Sequence, residues 1–312
     1  MFRKAVLSLA GQPIIRYLIT ELDLFRPLVH RFVAGETKED LLRAGEELRR
    51  VGLTITADYL GESVQDSNSA VAAAKEYLAV LDALAQAGLE PNISIKLSQL
   101  GLDIDPTLCE WLVERLVTRV AELDGFVRID MESSIYTQRT LDLFAHVYQK
   151  QRAVGVVIQS ALRRSAADLE WLLSSRARVR LVKGAYAEPA SIAFQTKAEV
   201  DRNYALLLDR LMAQGRYPAI ATHDARLVRH AMELASRYGR TSEGFEFQML
   251  YGVRRDLQLA LRQRGYRVRV YVPYGKHWYH YLTRRLAERP ENLLFLLRNV
   301  VAEVGHRRVK IG

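Results

Sequence analysis

Charged residues lie inside several short apolar runs of this sequence, and three of them are candidates for a shared site. Lys96 occurs in ISIKLS, Asp130 in FVRIDME and Arg180 in RVRLVKGAY. A charge that is removed from water needs an ion-pair partner or a charged ligand. We therefore expect the three side chains to meet, either around a charged ligand or in a salt-bridge network that only stabilises the fold.

Polar residues occur near the end of almost every apolar run of this kind. Any one of them could be an ordinary solvated residue, but their recurrence beside runs rich in Val and Ile indicates a shared site. They are Glu62, Ser98, Glu132, Gln159, Lys183, Tyr186, Thr222, His223, Asp224, Gln248, Tyr271 and Tyr274.

A second candidate site lies in the stretch YGKHWYHYLTRRLAERPEN. We predict a helix over 278–289 that is ended by Pro290. Tyr281, Arg284 and Arg285 form one stripe along this helix. Paired arginines make bidentate contacts with carboxylate or phosphate groups. The alternative is an exposed basic helix face without a ligand.

These residues need a scaffold that brings strand ends together. Each apolar run is followed by a helix-like stretch, which indicates parallel strands joined by crossover helices. Eight such units in about 225 residues match an α/β fold, the (β/α)8 TIM-type barrel, whose active site lies at the C-terminal ends of the strands. An open doubly wound sheet is the alternative, although its Gly-x-Gly-x-x-Gly motif is absent after the first run. The runs are 53–60, 93–98, 126–132, 155–160, 178–186, 218–224, 244–250 and 267–275.

We expect one barrel domain with an appendage. Residues 1–50 precede the first run and are predicted to form a helical N-terminal extension, and residues 51–312 are predicted to form the catalytic barrel. Capping patterns predict several helix starts, and three of them are Thr37 with Asp40, Asp105 with Pro106, and Ser165 with Asp168.

Composition excludes several classes of protein. With 49% apolar and 26% charged residues, the chain has ample material for a core and is not disordered. Its single cysteine, Cys109, excludes a disulfide framework and thiolate zinc clusters. No apolar run reaches the roughly 18 residues of a spanning helix, and the N-terminus lacks a signal-peptide pattern. We expect a cytoplasmic protein, either free or resting on a membrane surface.

The positive charge is unevenly distributed along the chain. Lys and Arg number 45 and Asp and Glu number 36, which gives a net charge of +9. Residues 252–312 contain fourteen of the former and four of the latter. This basic block predicts an anionic partner, such as lipid headgroups, nucleic acid, phosphate or carboxylate; a solvated face is the alternative.

Taken together, the motifs resemble those of the proline dehydrogenases, in their small monofunctional bacterial form. They occur in the family's order, and RLVKGAY followed by YLTRRLAERP is the most specific combination. The resemblance implies a distorted (β/α)8 barrel that binds FAD and oxidises L-proline to Δ1-pyrroline-5-carboxylate, with a quinone as the electron acceptor. It also implies peripheral contact with the inner face of the cell membrane and a separate pyrroline-5-carboxylate dehydrogenase downstream. The matching motifs are ISIKLSQLG, RIDME, RLVKGAY, TKAEVDRNY, ATHD, FEFQMLYG, YVPYG and YLTRRLAERP.

The resemblance implies a substrate site at five positions. Arg284 and Arg285 resemble the pair that binds the proline carboxylate, and Lys96 resembles a third cationic contact. Tyr271 and Tyr281 resemble the tyrosines that pack around the proline ring.

The resemblance also implies a cofactor site. Asp130 resembles an active-site acid below the flavin, and Arg180 resembles the residue near flavin N5. Glu62 resembles an acid that pairs with Arg284 as a gate. The implied FAD contacts are Met131, Gln159, Arg180, Lys183, Gly184, Ala185, Thr222, His223 and Gln248.

The chemistry of proline agrees with these residue types. A zwitterion with a small apolar ring needs cations for its carboxylate, flat apolar walls and a hydride acceptor, which no side chain can be. A positive charge near N5 favours the electron-rich reduced flavin. Because no strong base stands out in the sequence, we expect the amine to lose its proton to solvent.

Three alternatives remain open at this point. Lys183 or Lys96 could form a Schiff base with pyridoxal phosphate. A metal hydrolase could use His223, Asp224, His277 and His280, although we expect no metal site. The basic block could bind nucleic acid, but no RNA-binding motif occurs and we expect no nucleic-acid partner.

Overall fold

Eight parallel strands close into one barrel in the order in which they occur in the sequence. The structure is a computed structural model that describes residues 26–288, without the side chains of residues 26–28, 284 and 286–288. The last strand closes on the first, with Val272 opposite Ala57. The predicted (β/α)8 barrel is confirmed. Its strands are β1 (Thr54–Tyr59), β2 (Asn92–Ile95), β3 (Phe126–Ile129), β4 (Val154–Gln159), β5 (Arg178–Val182), β6 (Ala219–Ala221), β7 (Glu246–Leu250) and β8 (Val268–Tyr274).

Helices surround the barrel and alternate with its strands. The apolar residues of the strands and of the helices between residues 38 and 263 form one continuous core, as expected when every strand is covered by a crossover helix. In the described part of the chain the helices are α1 (Arg26–Phe32), α2 (Lys38–Arg50), α3 (Ser67–Gln86), α4 (Pro106–Glu122), α5 (Ser134–Lys150), α6 (Ser165–Ser174), α7 (Lys197–Gln214), α8 (Ala225–Arg237), α9 (Arg255–Gln263) and α10 (Trp278–Glu288).

Two of the three predicted helix caps are present. The Thr37 side chain accepts a hydrogen bond from the Asp40 amide in a reciprocal capping box. The Asp105 carboxylate accepts from the amides of Thr107 and Leu108, with Pro106 in the first turn. Both arrangements satisfy amides that have no partner within the helix.

The predicted capping box at the start of α6 is wrong. The Ser165 hydroxyl is buried and donates to the Gln159 carbonyl oxygen at the end of β4, at 2.6 Å. Asp168 instead pairs with Arg164 at 2.8 Å. A buried carbonyl oxygen at a strand end needs a hydrogen-bond donor. The Ser165 hydroxyl is that donor, and it therefore does not cap the amides of α6.

Helix α2 lies inside the predicted N-terminal extension but packs on the barrel. It contacts the outer faces of β1 and β8, and its Leu41 and Ala44 belong to the same core as the strands. Residues 1–25 lie outside the described residues, so the domain boundary at residue 50 stays a prediction.

A second, smaller apolar cluster joins α1 to α10. Phe32 and Val33 pack with Trp278, Tyr281 and Leu282, and Leu60 at the end of β1 completes the cluster. Leu60 immediately follows a strand end, so this contact fixes α10 beside the C-terminal end of the barrel. A helix that could cross a bilayer does not occur between residues 26 and 288.

Candidate active site

The three charged residues inside the apolar runs meet at the C-terminal end of the barrel, as predicted. The Arg180 guanidinium donates to one Asp130 oxygen at 2.6 Å. The Tyr271 hydroxyl donates to the other Asp130 oxygen at 2.7 Å. Lys96 Nζ lies 3.5 Å from the Tyr271 hydroxyl and 2.7 Å from Asp58 Oδ1. Two buried cations therefore stand on either side of a tyrosine, and each has its own carboxylate.

Arg180 is held from several directions. Its Nε donates to the Gln248 side-chain oxygen, and its second terminal nitrogen donates to Ser94 Oγ at 3.0 Å. Its guanidinium carbon lies 5.5 Å from the centre of the Tyr271 ring. Arg180 is only 4% exposed. These contacts fix the orientation of a buried positive charge.

The environment fixes the protonation states of Lys96 and Tyr271. Burial alone lowers the pKa of the Lys96 ammonium, but the carboxylates of Asp58 and Asp130 outweigh it and hold that pKa above its usual range. Burial, and then the Asp130 charge, raises the pKa of the Tyr271 hydroxyl well above its usual range. At neutral pH Lys96 is therefore a cation and Tyr271 is protonated, so Lys96 is a poor amine nucleophile for a Schiff base.

Sequence reasoning missed Asp58, the partner of Lys96. The side chain of Asp58 is 1% exposed, and it lies inside the apolar run LTITADYL. A charge within an apolar run was the signal used for the other three residues, and it would have found Asp58 as well. The acid chosen after this run was Glu62, which is exposed in the following loop.

Glu132 is a second acid, for which the sequence predicted no specific role in binding or catalysis. It accepts hydrogen bonds from the Ser98 amide at 3.0 Å and from the Ser98 hydroxyl at 2.5 Å. Burial raises the pKa of its carboxyl group. Because Ser98 follows β2 and Glu132 follows β3, these bonds fix two neighbouring loops of the mouth to each other.

The residues implied as FAD contacts lie within or just after the adjacent strands β3 to β7. Gln159 donates to the Glu132 carbonyl oxygen at 2.8 Å. The Thr222 hydroxyl accepts from the Asp224 amide at 3.2 Å. His223 Nε2 accepts from the Leu250 amide at 2.9 Å, which places the proton of the neutral ring on Nδ1.

Lys183 belongs to a charged cluster at the edge of the mouth. Its ammonium lies 2.5 Å from Asp201 and 3.4 Å from Asp224. A hydrogen bond from Arg226, together with the Lys183 charge, holds the pKa of Asp224 below its usual range. With both carboxylates ionised, Lys183 is engaged as an ion-pair partner, which does not suit a Schiff-base lysine.

Gly184 is required by the backbone of the loop that follows β5. Its φ is +109°, in the region that favours glycine, and an added Cβ would lie 3.1 Å from both Ala161 Cβ and Gln159 Oε1. The chain can therefore bring Lys183 and Ala185 close to Gln159 only with glycine between them.

The helix predicted to contribute arginines ends the described chain. Tyr281 on α10 is buried, and the Arg285 guanidinium carbon lies 5.4 Å from its ring centre. The Arg284 side chain lies outside the described residues, so its pairing with Glu62 and its role stay predictions. Across residues 26–288 no three His, Cys, Asp or Glu side chains are grouped to hold a metal ion.

Comparison with known proteins now decides the family. The model of the proline dehydrogenase family matches residues 41–298. The chain belongs to the proline dehydrogenase family. A proline dehydrogenase of Deinococcus radiodurans is 39% identical over 306 residues, which make up 96% of this chain and 98% of that protein. Proline dehydrogenase 1 of Bacillus subtilis is 37% identical over 271 residues, 87% of this chain and 90% of that protein.

A solved structure matches the fold of this proline dehydrogenase family member. Proline utilization A of Bdellovibrio bacteriovorus, inactivated by N-propargylglycine, superposes with a TM-score of 0.79 at 26% identity. The match covers 84% of this chain and 32% of that chain, so this chain spans about a third of that longer protein. The chain is therefore an oxidoreductase that oxidises proline, the first step of proline catabolism. The family implies a flavin cofactor.

Proposed function

We propose that the barrel mouth binds L-proline against FAD and oxidises it to Δ1-pyrroline-5-carboxylate. One observation supports this most strongly: two buried cations, Lys96 and Arg180, lie on either side of the protonated Tyr271 and are each paired with a carboxylate. FAD, when bound, supplies the two-electron acceptor that no side chain can provide.

The proline side of the mouth is built around Lys96. An ammonium group has three donors, and Asp58 and the Tyr271 hydroxyl account for two of them. The third donor can bind the proline carboxylate. Arg284 and Arg285 on α10 provide further cations, and the rings of Tyr271 and Tyr281 provide flat walls for the pyrrolidine ring.

The flavin side is built around Arg180. A flavin presents a flat ring edged with carbonyl oxygens and nitrogens, and it is attached to phosphates. The guanidinium of Arg180, the ammonium of Lys183 and the amides of Gln159 and Gln248 suit those acceptors. The strands also offer Met131 as an apolar surface, the close approach at Gly184 and Ala185, and the polar groups of Thr222 and His223. This donor set suits FAD, and we assign these residues to it.

Neither Asp130 nor Tyr271 is available to proline as a strong base. Both oxygens of Asp130 accept hydrogen bonds, and Tyr271 keeps its proton. We assign Asp130 to the orientation of Arg180 and Tyr271. The proline amine then loses its proton to solvent before the C5–H bond breaks.

The electrons pass next to a quinone, and the product passes to a separate pyrroline-5-carboxylate dehydrogenase. The basic block over residues 252–312 brings the protein to the inner face of the cell membrane, where the quinone is dissolved. Each Lys or Arg near an anionic surface adds on the order of 1 kcal/mol to binding.

The visible spectrum of the purified protein tests this proposal. We expect a yellow protein that releases FAD on heating and loses its colour when L-proline is added without oxygen. A ubiquinone analogue should restore the colour faster than air does. Absorption typical of pyridoxal phosphate, or FMN in place of FAD, would contradict the cofactor assignment.

A further inference from the structure

A line of buried polar side chains runs from the mouth of the barrel down its interior. Arg180 Nε donates to the Gln248 side-chain oxygen, and the Gln248 amide nitrogen donates to Glu246 Oε1. Arg269 Nε then lies 3.0 and 3.1 Å from the two Glu246 oxygens. Each of these four residues is at most 4% exposed. Gln248 and Glu246 are two residues apart on β7, so both point into the barrel, one layer below the other.

The two neighbours of Gln248 determine how its amide is turned. A guanidinium can only donate and a carboxylate can only accept. The amide oxygen must therefore face Arg180, and the amide nitrogen must face Glu246. Turned the other way, the amide would place its N–H groups against a cation and its oxygen against an anion. Glu246 thus selects the one orientation in which Gln248 is an acceptor for Arg180.

Glu246 is itself fixed by the floor of the barrel. Arg269 Nη1 donates to the Ile55 carbonyl oxygen at 2.7 Å, and its Nη2 lies 2.9 and 3.0 Å from the Glu90 oxygens. The Tyr217 hydroxyl donates to Glu246 Oε2 at 3.2 Å. Burial would raise the pKa of Glu246, but Arg269 outweighs it and lowers that pKa to about 2. The acceptor below Gln248 is therefore ionised at neutral pH.

We propose that Glu246 is a positioning residue for proline oxidation. It does not touch the substrate site; it holds the Gln248 amide in the orientation that fixes the Arg180 guanidinium at the mouth. This inference rests on the proposed function, in which Arg180 lies against the flavin. The competing view is that Glu246 and Arg269 form an ion pair that only stabilises the barrel floor.

The test removes both members of the Glu246–Arg269 ion pair together, so that neither is left buried without the other. Glu246→Leu combined with Arg269→Met replaces both members by apolar side chains, which is often neutral for stability. Arg269→Lys is the matched control, because it disturbs the floor but keeps a cation beside Glu246 and leaves the Glu246–Gln248 bond in place. Each is made in the wild-type chain and in an Arg180→Met background. The measurements are the rate of flavin reduction by L-proline, the flavin midpoint potential and the flavin content.

Removal of the ion pair should slow flavin reduction about tenfold in the wild-type chain, the effect of losing one hydrogen bond to a charged group. It should also shift the midpoint potential to more negative values. In the Arg180→Met background, removal of the ion pair should slow flavin reduction by less than about a further twofold. The reason is that the guanidinium that Gln248 holds in place is already absent. Arg269→Lys should leave both quantities near their wild-type values. If the double variant does not fold, Glu246→Gln, which weakens the acceptor, should give a smaller loss of the same kind.

Two results would overturn the proposal in different ways. An equal loss in both backgrounds, or no loss and no shift of potential, would mean that Glu246 acts only on stability, and the role of Arg180 would stand. A rate and potential unaffected by Arg180→Met itself would reject the proposed role of Arg180, and the inference about Glu246 with it.

Discussion

At the scale of single residues, the site depends on cations that remain charged although they are buried. Transfer of a lone ammonium or guanidinium into a protein interior costs several kcal/mol. Here Lys96 has Asp58 at 2.7 Å and Arg180 has Asp130 at 2.6 Å. Each carboxylate offsets the cost of burying its cation, and the Asp58 and Asp130 charges hold the pKa of Lys96 above its usual range, so that positive charge is present at the mouth before a ligand arrives.

The paired arginines of α10 should govern the affinity for proline and not that for flavin. Arg284→Met and Arg285→Met each keep the aliphatic stem and remove the guanidinium. Each charge-assisted contact to the carboxylate should contribute ~2–4 kcal/mol, so we expect kcat/KM for proline to fall roughly 30- to 1000-fold. Variants with lysine at either position should recover only part of the kcat/KM that the Met variants lose. Steady-state kinetics and flavin content measure the two effects separately.

Arg210→Met is the control for those variants. Arg210 is an exposed arginine that pairs with Glu170 on the outer surface, so its removal should change stability little and activity not at all. If both α10 variants keep a wild-type KM for proline, the carboxylate contact must be sought at Lys96 alone.

The charged residues of the mouth could be predicted because each interrupts an apolar run. Lys96, Asp130 and Arg180 were found in this way, and Asp58 obeys the same rule. Which carboxylate pairs with which cation could not be predicted, because the partners come from strands that are distant in sequence. Glu246 and Arg269 beneath the mouth also interrupt the runs 244–250 and 267–275, but nothing local in the sequence predicts that they pair with each other.

At the scale of elements, the loop between β5 and α7 is fixed to a neighbouring helix. Glu188 in this loop accepts from the Ser134 amide at 2.7 Å and from the Ser134 hydroxyl at 2.6 Å, at the start of α5. The same loop contains Lys183, Gly184 and Ala185. A carboxylate at a helix N-terminus satisfies free amides and interacts favourably with the helix dipole.

Loss of this anchor should weaken flavin retention. Glu188→Ala removes both hydrogen bonds, and the loop beside the flavin should become less ordered. We expect the dissociation constant of FAD to rise about tenfold, if about 1.4 kcal/mol of anchoring is lost. Apoprotein titrated with FAD and followed by fluorescence measures it.

Glu199→Ala provides the comparison for the loop variant. Glu199 caps the start of α7 in a box with Thr196, so its loss should also destabilise the fold by removing a pair of local hydrogen bonds. It should leave FAD affinity unchanged. Equal losses of affinity in both variants would mean that general destabilisation, and not the anchor, is responsible.

The elements themselves were predictable from the alternation of Val- and Ile-rich runs with capped helices. The ends of the strands were less predictable than the strands themselves. The fifth run was predicted over 178–186, but β5 ends at Val182. The φ of +109° at Gly184 turns the chain out of the sheet. The residue types around Gly184 do not predict where this turn occurs. The misassigned Ser165 cap has a similar cause, because a buried carbonyl from another element competed for the hydroxyl.

At the scale of the whole molecule, the barrel floor should make the free energy of unfolding depend on pH in the acid range. Glu246 has a folded pKa of about 2 against a usual value of 4.5. A carboxylate with a lowered pKa stabilises the fold above its unfolded pKa, and that stabilisation is lost as the pH falls from about 4.5 towards 2. The difference corresponds to on the order of 3 kcal/mol.

The Glu246→Leu/Arg269→Met variant should therefore lose less stability than the wild type on acidification. Urea unfolding from about pH 5 to about pH 3 gives the free energy of unfolding of both proteins. The wild-type curve should fall more steeply. Parallel curves would show that the Glu246 carboxyl does not titrate on unfolding.

In the proposed function, the mouth of the barrel binds proline through cations paired with buried acids. The most direct test of this binding is the half-saturating concentration of L-proline in anaerobic flavin reduction, compared between the wild type and Lys96→Met/Asp58→Asn. This double variant removes a cation together with its partner, so no buried charge is left unpaired. Arg210→Met/Glu170→Gln removes an exposed ion pair as the control. We predict that the half-saturating concentration rises about tenfold or more in the first variant and is unchanged in the second, with full flavin content in both. A wild-type concentration in the Lys96→Met/Asp58→Asn protein would contradict the claim.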